Sequence, residues 1–289
     1  MAAAADAPNA RSLELVLDGL GFGEGPRWHD DRLWFSDFVL QLVLSVGEDG
    51  QARVELELDD RPSGLGWLPD GRLLVVSMHR RAVLRRENDG SVVTHADLAG
   101  IATGDTNDMV VSADGTAYVG NFGSDLLGGE PLKPAQLAIV RPDGTATAAA
   151  DPLMFPNGSV ITADGATLIV GETLAAQYRA FAIRDDGSLG ESRIWAEVPN
   201  RSPDGCVLDT EGAIWFADAS RGEVARVREG GEITDVIATP DHAYACTLGG
   251  ADGRQLFVLT CPGPPMPDLP AGSGRLWTVR VDVPHAGRP

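Results

Sequence analysis

Apolar positions along this chain fall in short alternating runs, and the runs come in pairs around tight acidic turns. Six times a polar segment leads into an apolar run, a turn and a second apolar run. The copies read EGPRWHDDRLWFSDF from Glu24, SGLGWLPDGRLLVVSM from Ser63 and NDMVVSADGTAYVGNF from Asn107. They continue with NGSVITADGATLIVGE from Asn157, DGCVLDTEGAIWFAD from Asp204 and ACTLGGADGRQLFVLT from Ala245. Alternation with period two around Asp-Gly turns predicts β-hairpins, and no long stretch keeps the 3.6-residue period of a helix.

The turn residues Asp31, Asp70, Asp114, Asp164, Glu211 and Asp252 stand 39, 44, 50, 47 and 41 residues apart. A second set of turns lies between them: EDG at 48–50, NDG at 88–90, PDG at 142–144, DDG at 185–187 and EGG at 229–231. Two hairpins per period make four strands, and a repeat of 40 to 50 residues built of four strands is a propeller blade. The last period lacks a fourth strand, which SLELVLDGL (12–20) can supply by pairing the two ends of the chain. Such closure hides sheet edges that would otherwise be exposed. The sequence therefore predicts an all-β, six-bladed propeller with four antiparallel strands per blade, closed by the N-terminal strand. It forms one domain over 12–289, with residues 1–11 disordered.

A repeat also sets a register. The first positions, Glu24, Ser63, Asn107, Asn157, Asp204 and Ala245, should converge at one end of the ring. By strand parity the ends of the second strands share that face: Asp37, His79, Asn121, Glu172, Asp218 and Cys261. The insertion at 123–136 follows the third of them and should overhang the same face as a lid or specificity loop. An Asn-Gly or Asp-Gly pair alone is an ordinary turn. Each copy, however, already has its hairpin turn seven residues later, and a turn does not explain Glu24 and Asp204 meeting near an axis. Two carboxylates brought together repel, and a cation relieves them. With the Asn157 carbonyl oxygen they make an all-oxygen set suited to one divalent ion such as Ca²⁺, Mg²⁺ or Mn²⁺. No histidine begins a repeat, which argues against structural zinc; catalytic Zn²⁺ or Fe²⁺ stays open.

Other groups placed on this face are Asn107, as a metal or substrate contact, and Asp105, His79, His242 and Asn121 as substrate contacts. Asp105 and Asp108 read equally well as solvated loop acids. Arg61 and Arg201 precede repeat starts and could pair with the excess carboxylates. Ser159 and Ser202 lack a nearby His–acid arrangement, so a serine nucleophile has little support. Trp28, Trp34, Trp67 and Trp215 sit on strands and read as core.

Composition narrows the partners. A formal charge of −19, from 23 basic and 42 acidic residues, argues against nucleic acid and anionic membrane surfaces. Three cysteines, Cys206, Cys246 and Cys261, make no disulfide framework and read as small buried apolar residues. The first residues show no signal-peptide pattern, and no apolar run is long enough to span a bilayer. The expectation is a cytoplasmic protein acting on a small molecule; its oligomeric state is not legible.

The motifs EGPRW, NDMVVSADG, PNGSVITADG, SPDGCVLDTEGAIWFAD and the ACTLGG block, in this order and spacing, resemble the senescence-marker protein/gluconolactonase/luciferin-regenerating-enzyme family over about residues 12–282. That family includes regucalcin-type sugar lactonases and, more distantly, diisopropylfluorophosphatase-like enzymes. The resemblance implies Glu24, Asn157 and Asp204 as divalent-metal ligands. It implies Asn107 as a catalytic or substrate-facing asparagine and Asp204 as general base. In the sugar lactonases an arginine two residues before the motif asparagine contacts substrate; here that position is Asp105. The expectation is a metal-dependent hydrolase of a lactone. The alternatives are a phosphotriesterase-type or other metal-assisted reaction at the same site, and a non-catalytic binding propeller.

Overall fold

A computed structural model describes residues 11–47, 49–126, 128–149, 151–264, 269–270 and 272–289. Among these residues every regular element is a strand, and no helix is long and apolar enough to cross a membrane. The expected disorder at 1–11 falls almost wholly outside the described residues.

The strands form six antiparallel four-stranded sheets. Five blades are built from consecutive strands, with innermost strands Gly23–His29 (blade I), Pro62–Trp67 (II), Thr106–Val111 (III), Pro156–Ile161 (IV) and Pro203–Leu208 (V). Blade VI runs His242–Gly249, Gln255–Cys261 and Gly274–Arg280, and takes its outer strand, Glu14–Leu20, from the other end of the chain. The ring closes as the sequence predicts, with Leu15 paired to Trp277.

Turn chemistry fixes the hairpins. Asp70, Asp114, Asp164 and Asp252 each accept a hydrogen bond from the backbone N–H two residues on, at 3.0–3.3 Å. These Asx turns hold the corners facing away from the repeat starts. In blade V the work falls to Asp209 rather than Glu211.

Apolar side chains fill the seams between blades. Six buried clusters correspond one to one with the six blade–blade interfaces. A seventh, around Phe22, Phe38, Met78, Tyr244 and Cys261, belongs to the end of the ring where the repeats start. Trp215 is fully buried, whereas Trp28, Trp34 and Trp67 are half-buried and pack against the edges of two seams. At the opposite end, residues 284–288 cross from blade VI past blade V to blade IV. There Ala286 N–H donates to Leu208 O, and Ile161 and Arg288 exchange backbone hydrogen bonds. A cavity of about 420 Å³ beside this crossing is lined by Arg27, Trp28, Trp67 and His285 among others.

Candidate metal and substrate site at one end of the channel

Every innermost strand breaks register once, immediately after its first residues. Thr106 pairs with Asn121 and Met109 with Val119, so the strand holds one extra residue; the same shift follows Pro62, Pro156 and Pro203. Blade I shifts between Glu24 and Arg27. A bulge of this kind turns a side chain out of the pleat, and here it does so six times around one axis. The side chains so placed in blades I to V are Glu24, Ser63, Asn107, Asn157 and Asp204, all buried. In blade VI the ladder corrects the sequence reading. Ala243 pairs with Thr260 as Pro203 does with Asp218, and Cys246 with Val258 as Cys206 does with Phe216, so Tyr244 and not Ala245 holds the first position.

The next position in the bulge is glycine in four blades because adjacent backbones nearly touch. A Cβ on Gly158 would lie 2.2 Å from Asp204 O, and one on Gly64 2.4 Å from Met109 N. Blades III and VI, on opposite sides of the ring, carry Asp108 and Ala245 there instead. Asp108 is thus no solvated loop acid. It is buried, and its Oδ1 accepts from Arg27 Nη2 at 2.7 Å and from Met109 N–H at 2.7 Å. Arg27 also donates to Leu65 O (3.2 Å), Pro26 O (2.8 Å) and Met109 O (2.6 Å), tying blades I, II and III together.

Three buried carboxylates, Glu24, Asp108 and Asp204, therefore share one neighbourhood with a single guanidinium, Arg27, which pairs with Asp108. Burial pushes Glu24 well above the usual carboxylate range, and the charges of Asp204 and Asp108 add to it; Gly25 N–H and Arg27 offset this only in part. Asp204 is likewise raised by burial and then by Asp108, against the pull of the Gly205 N–H and the Asn157 amide. Asn157 Oδ1 and Asp204 Oδ1 are both buried without a hydrogen-bond partner. A buried acceptor left unpaired is costly, and two of them beside a third, raised carboxyl fit a cation. No group of three or more His, Cys, Asp or Glu side chains is placed to hold a metal among the described residues. The set here has two carboxylates and an amide oxygen, donors suited to a hard ion.

Asn107 lies in the same ring, its Oδ1 accepting from Ser63 Oγ at 3.2 Å. Asp105 and His79 pair at the rim, Oδ2 to Nδ1 at 2.7 Å, with the imidazole half-exposed. His242 begins the blade VI strand, its Nδ1 buried without a partner. Asn121 is turned inward: its Nδ2 donates to Gln136 O and its Oδ1 accepts from Gly123 N–H. Arg201 pairs with Asp218 and Glu223, while Arg61 has no carboxylate partner among the described residues. The base of the 123–136 insertion is anchored, with Thr103 Oγ1 donating to Gly123 O at 2.8 Å; Leu127 lies outside the described residues.

Sequence reasoning missed Arg27, Asp108 and Tyr244 as parts of this site. The signal for Arg27 was present: by ladder register it occupies a column that otherwise reads Gly66, Val110, Val160 and Val207.

The family model for the "SMP-30/Gluconolactonase/LRE-like region" matches residues 22–262. A 6-deoxy-6-sulfogluconolactonase of Pseudomonas putida is 27% identical over 162 residues, 53% of this chain and 55% of that protein. The chain spans about half the length of the first curated relatives it matches. Among solved structures, a gluconolactonase from Xanthomonas campestris superposes with a TM-score of 0.76 at 29% identity, covering 94% of this chain and 89% of that one. A calcium-binding regucalcin from Agrobacterium tumefaciens superposes with a TM-score of 0.82 at 18% identity, covering 97% of each, and bears on the fold alone.

Proposed function

The chain belongs to the SMP-30/gluconolactonase/LRE-like family, and from that premise we propose that it is a metal-dependent hydrolase of a small lactone. One observation carries the reading: Asn157 Oδ1 and Asp204 Oδ1, both buried and unpartnered, stand beside a Glu24 carboxyl raised by burial and by its acidic neighbours. Glu24, Asn157 and Asp204 would hold one divalent ion (Ca²⁺, Mg²⁺, Mn²⁺ or Zn²⁺). Such an ion supplies Lewis acidity toward a carbonyl oxygen and makes water more acidic. The lactonases named among the relatives support the substrate class.

The chain's own groups have definable parts. Asp204 takes a proton from the attacking water. The water oxygen bonds to the acyl carbon, the acyl–oxygen bond of the ring breaks, and the proton passes to the departing ring oxygen. The product is an open-chain hydroxy acid. Ser63 engages the Asn107 oxygen, which leaves the Asn107 Nδ2 hydrogens to hold a substrate oxygen. Three free, buried cysteines accord with a reducing, cytoplasmic setting.

The test is a lactone panel on chelator-treated protein reloaded with each candidate ion. Asp204→Asn should lower turnover by about 10²–10⁴-fold, and Glu24→Gln should weaken the response to added ion. Wild-type turnover in both variants after chelation would exclude the mechanism.

A further inference from the structure

Aromatic and aliphatic side chains gather at the end of the ring that carries this site. Phe22, Phe38, Met78 and Tyr244 form a buried cluster drawn from blades I, II and VI, against which Phe122 of blade III packs. Phe22 packs at a tilt against Phe38 and Tyr244 with centroids 4.6 and 4.5 Å away. Phe122 lies parallel to Phe155 at 4.7 Å, and both rings are only partly buried. The cluster sits directly beside the carboxylates: burial first, then the charges of Asp204, Cys261 and Glu24, push the Tyr244 phenol upward. Phe155 is held at φ +58°, a conformation unfavourable for an aromatic residue, two positions before Asn157.

The polar side chains of this end are mostly engaged within the protein. Both ends of the Asn121 amide serve its own loop, Thr106 Oγ1 donates to Ser77 O, and Thr173 Oγ1 donates to Pro203 O. A polyhydroxylated ring needs a partner for each hydroxyl it buries. Beyond the Asn107 amide, the partners left here among the described residues are the unpaired His242 Nδ1 and Arg61 Nη1, fewer than the hydroxyls of such a ring, and the rim carboxylate Asp105 is paired with His79.

We propose that an aromatic collar, formed by the partly open Phe122 and Phe155 and backed by the buried Phe22, Phe38 and Tyr244, with Asp105 at its rim, selects uncharged lactones bearing an apolar or aryl substituent over polyhydroxylated or anionic ones. The inference rests on the lactonase reading for its chemistry but on the collar alone for its selectivity. The aryl body lies against the partly open faces of Phe122 and Phe155, while the ester reaches the ring of Glu24, Asn157 and Asp204. Asp105 disfavours a carboxylated or sulfonated substituent by like-charge repulsion.

The experiment compares 6-phenyl-δ-valerolactone, its carboxylated derivative, δ-valerolactone and D-glucono-1,5-lactone, each rate divided by that lactone's own hydroxide-catalysed rate. In parallel, calorimetry measures binding of 2-phenyltetrahydropyran, a cyclic ether that cannot be hydrolysed. The phenyl lactone should exceed gluconolactone in kcat/KM by at least about tenfold, the worth of one or two aromatic contacts. Phe155→Leu and Phe122→Leu, mild enough to fold, should each lower the phenyl-to-unsubstituted ratio and weaken ether binding. Asp105→Asn should raise use of the carboxylated lactone relative to the neutral one. Equal or better use of gluconolactone would overturn the collar's role and leave the lactonase reading standing. Collar-dependent ether binding without hydrolysis of any lactone would keep the selectivity and remove the lactonase reading. Neither hydrolysis nor binding would remove both.

Discussion

Arg27→Met tests whether the channel end is held together by a buried ion pair. The substitution keeps most of the aliphatic volume and removes the charge. It strips Asp108 of its 2.7 Å guanidinium partner and three backbone carbonyls, on Leu65, Pro26 and Met109, of a donor. Breaking a buried pair by deleting one partner costs about 3–5 kcal/mol, because the remaining charge is left desolvated. The carbonyls should add little, since Arg27 borders the 420 Å³ cavity and water can enter from that side. For a domain of this size 1 kcal/mol moves Tm by about 2–4 °C, so the expected fall is about 6–20 °C. The assay is calorimetric melting of metal-free protein at neutral pH, for wild type, Arg27→Met, Asp108→Asn and the double variant. The double variant should be less damaged than the sum of the singles by about 2 kcal/mol. A single variant melting within 2 °C of wild type, or strict additivity, would show that the pair does not hold the three blades.

Two further predictions follow from burial at the axis. Glu24 and Asp204 bind protons more tightly folded than unfolded, so their contribution to stability is fully present below their unfolded values near pH 4 and is lost as pH rises through their raised folded values. Metal-free wild type should therefore lose stability from pH 4 toward neutrality, and Glu24→Gln or Asp204→Asn should flatten that decline; urea melts across the range, with steeper decline in the variants, would contradict it. Burial raises the thiols of Cys206, Cys246 and Cys261, so all three should react with a thiol reagent only at the rate of unfolding. Stoichiometric labelling of native protein within minutes would count against it.

The architecture was legible because a propeller repeats its instructions: turn residues at a fixed interval, alternation on both sides, and a missing strand at one end matched by a spare strand at the other. The site was legible where the repeat was regular. Glu24, Asn157 and Asp204 occupy one register, and the bulges that aim them follow at the same place in each blade. Legibility failed where a copy lost its marker. The blade VI copy carries no acid or amide at its first position, so its register slipped by one and Tyr244 went unseen. Asp108 was taken as a possible loop acid because its partner, Arg27, lies 81 residues earlier on another blade. No local pattern encodes that contact; only closing the ring creates it.

Placing this charge on the axis keeps it apart from what holds the fold together. The apolar seams run between blades, and each is complete without any member of the Glu24–Asp108–Asp204 group. The carboxylates can therefore repel one another without opening a seam, and the repulsion is concentrated where a cation can relieve it. Arg27 has a different part. It answers Asp108 and leaves Asp204, whose Oδ1, like that of Asn157, is buried without a hydrogen-bond partner. A second fixed cation would satisfy the site internally and leave nothing for an ion or a substrate to complete. On the proposed reading this imbalance is what an ion would complete, and the glycines at 64, 158 and 205 let neighbouring backbones approach closely enough to create it.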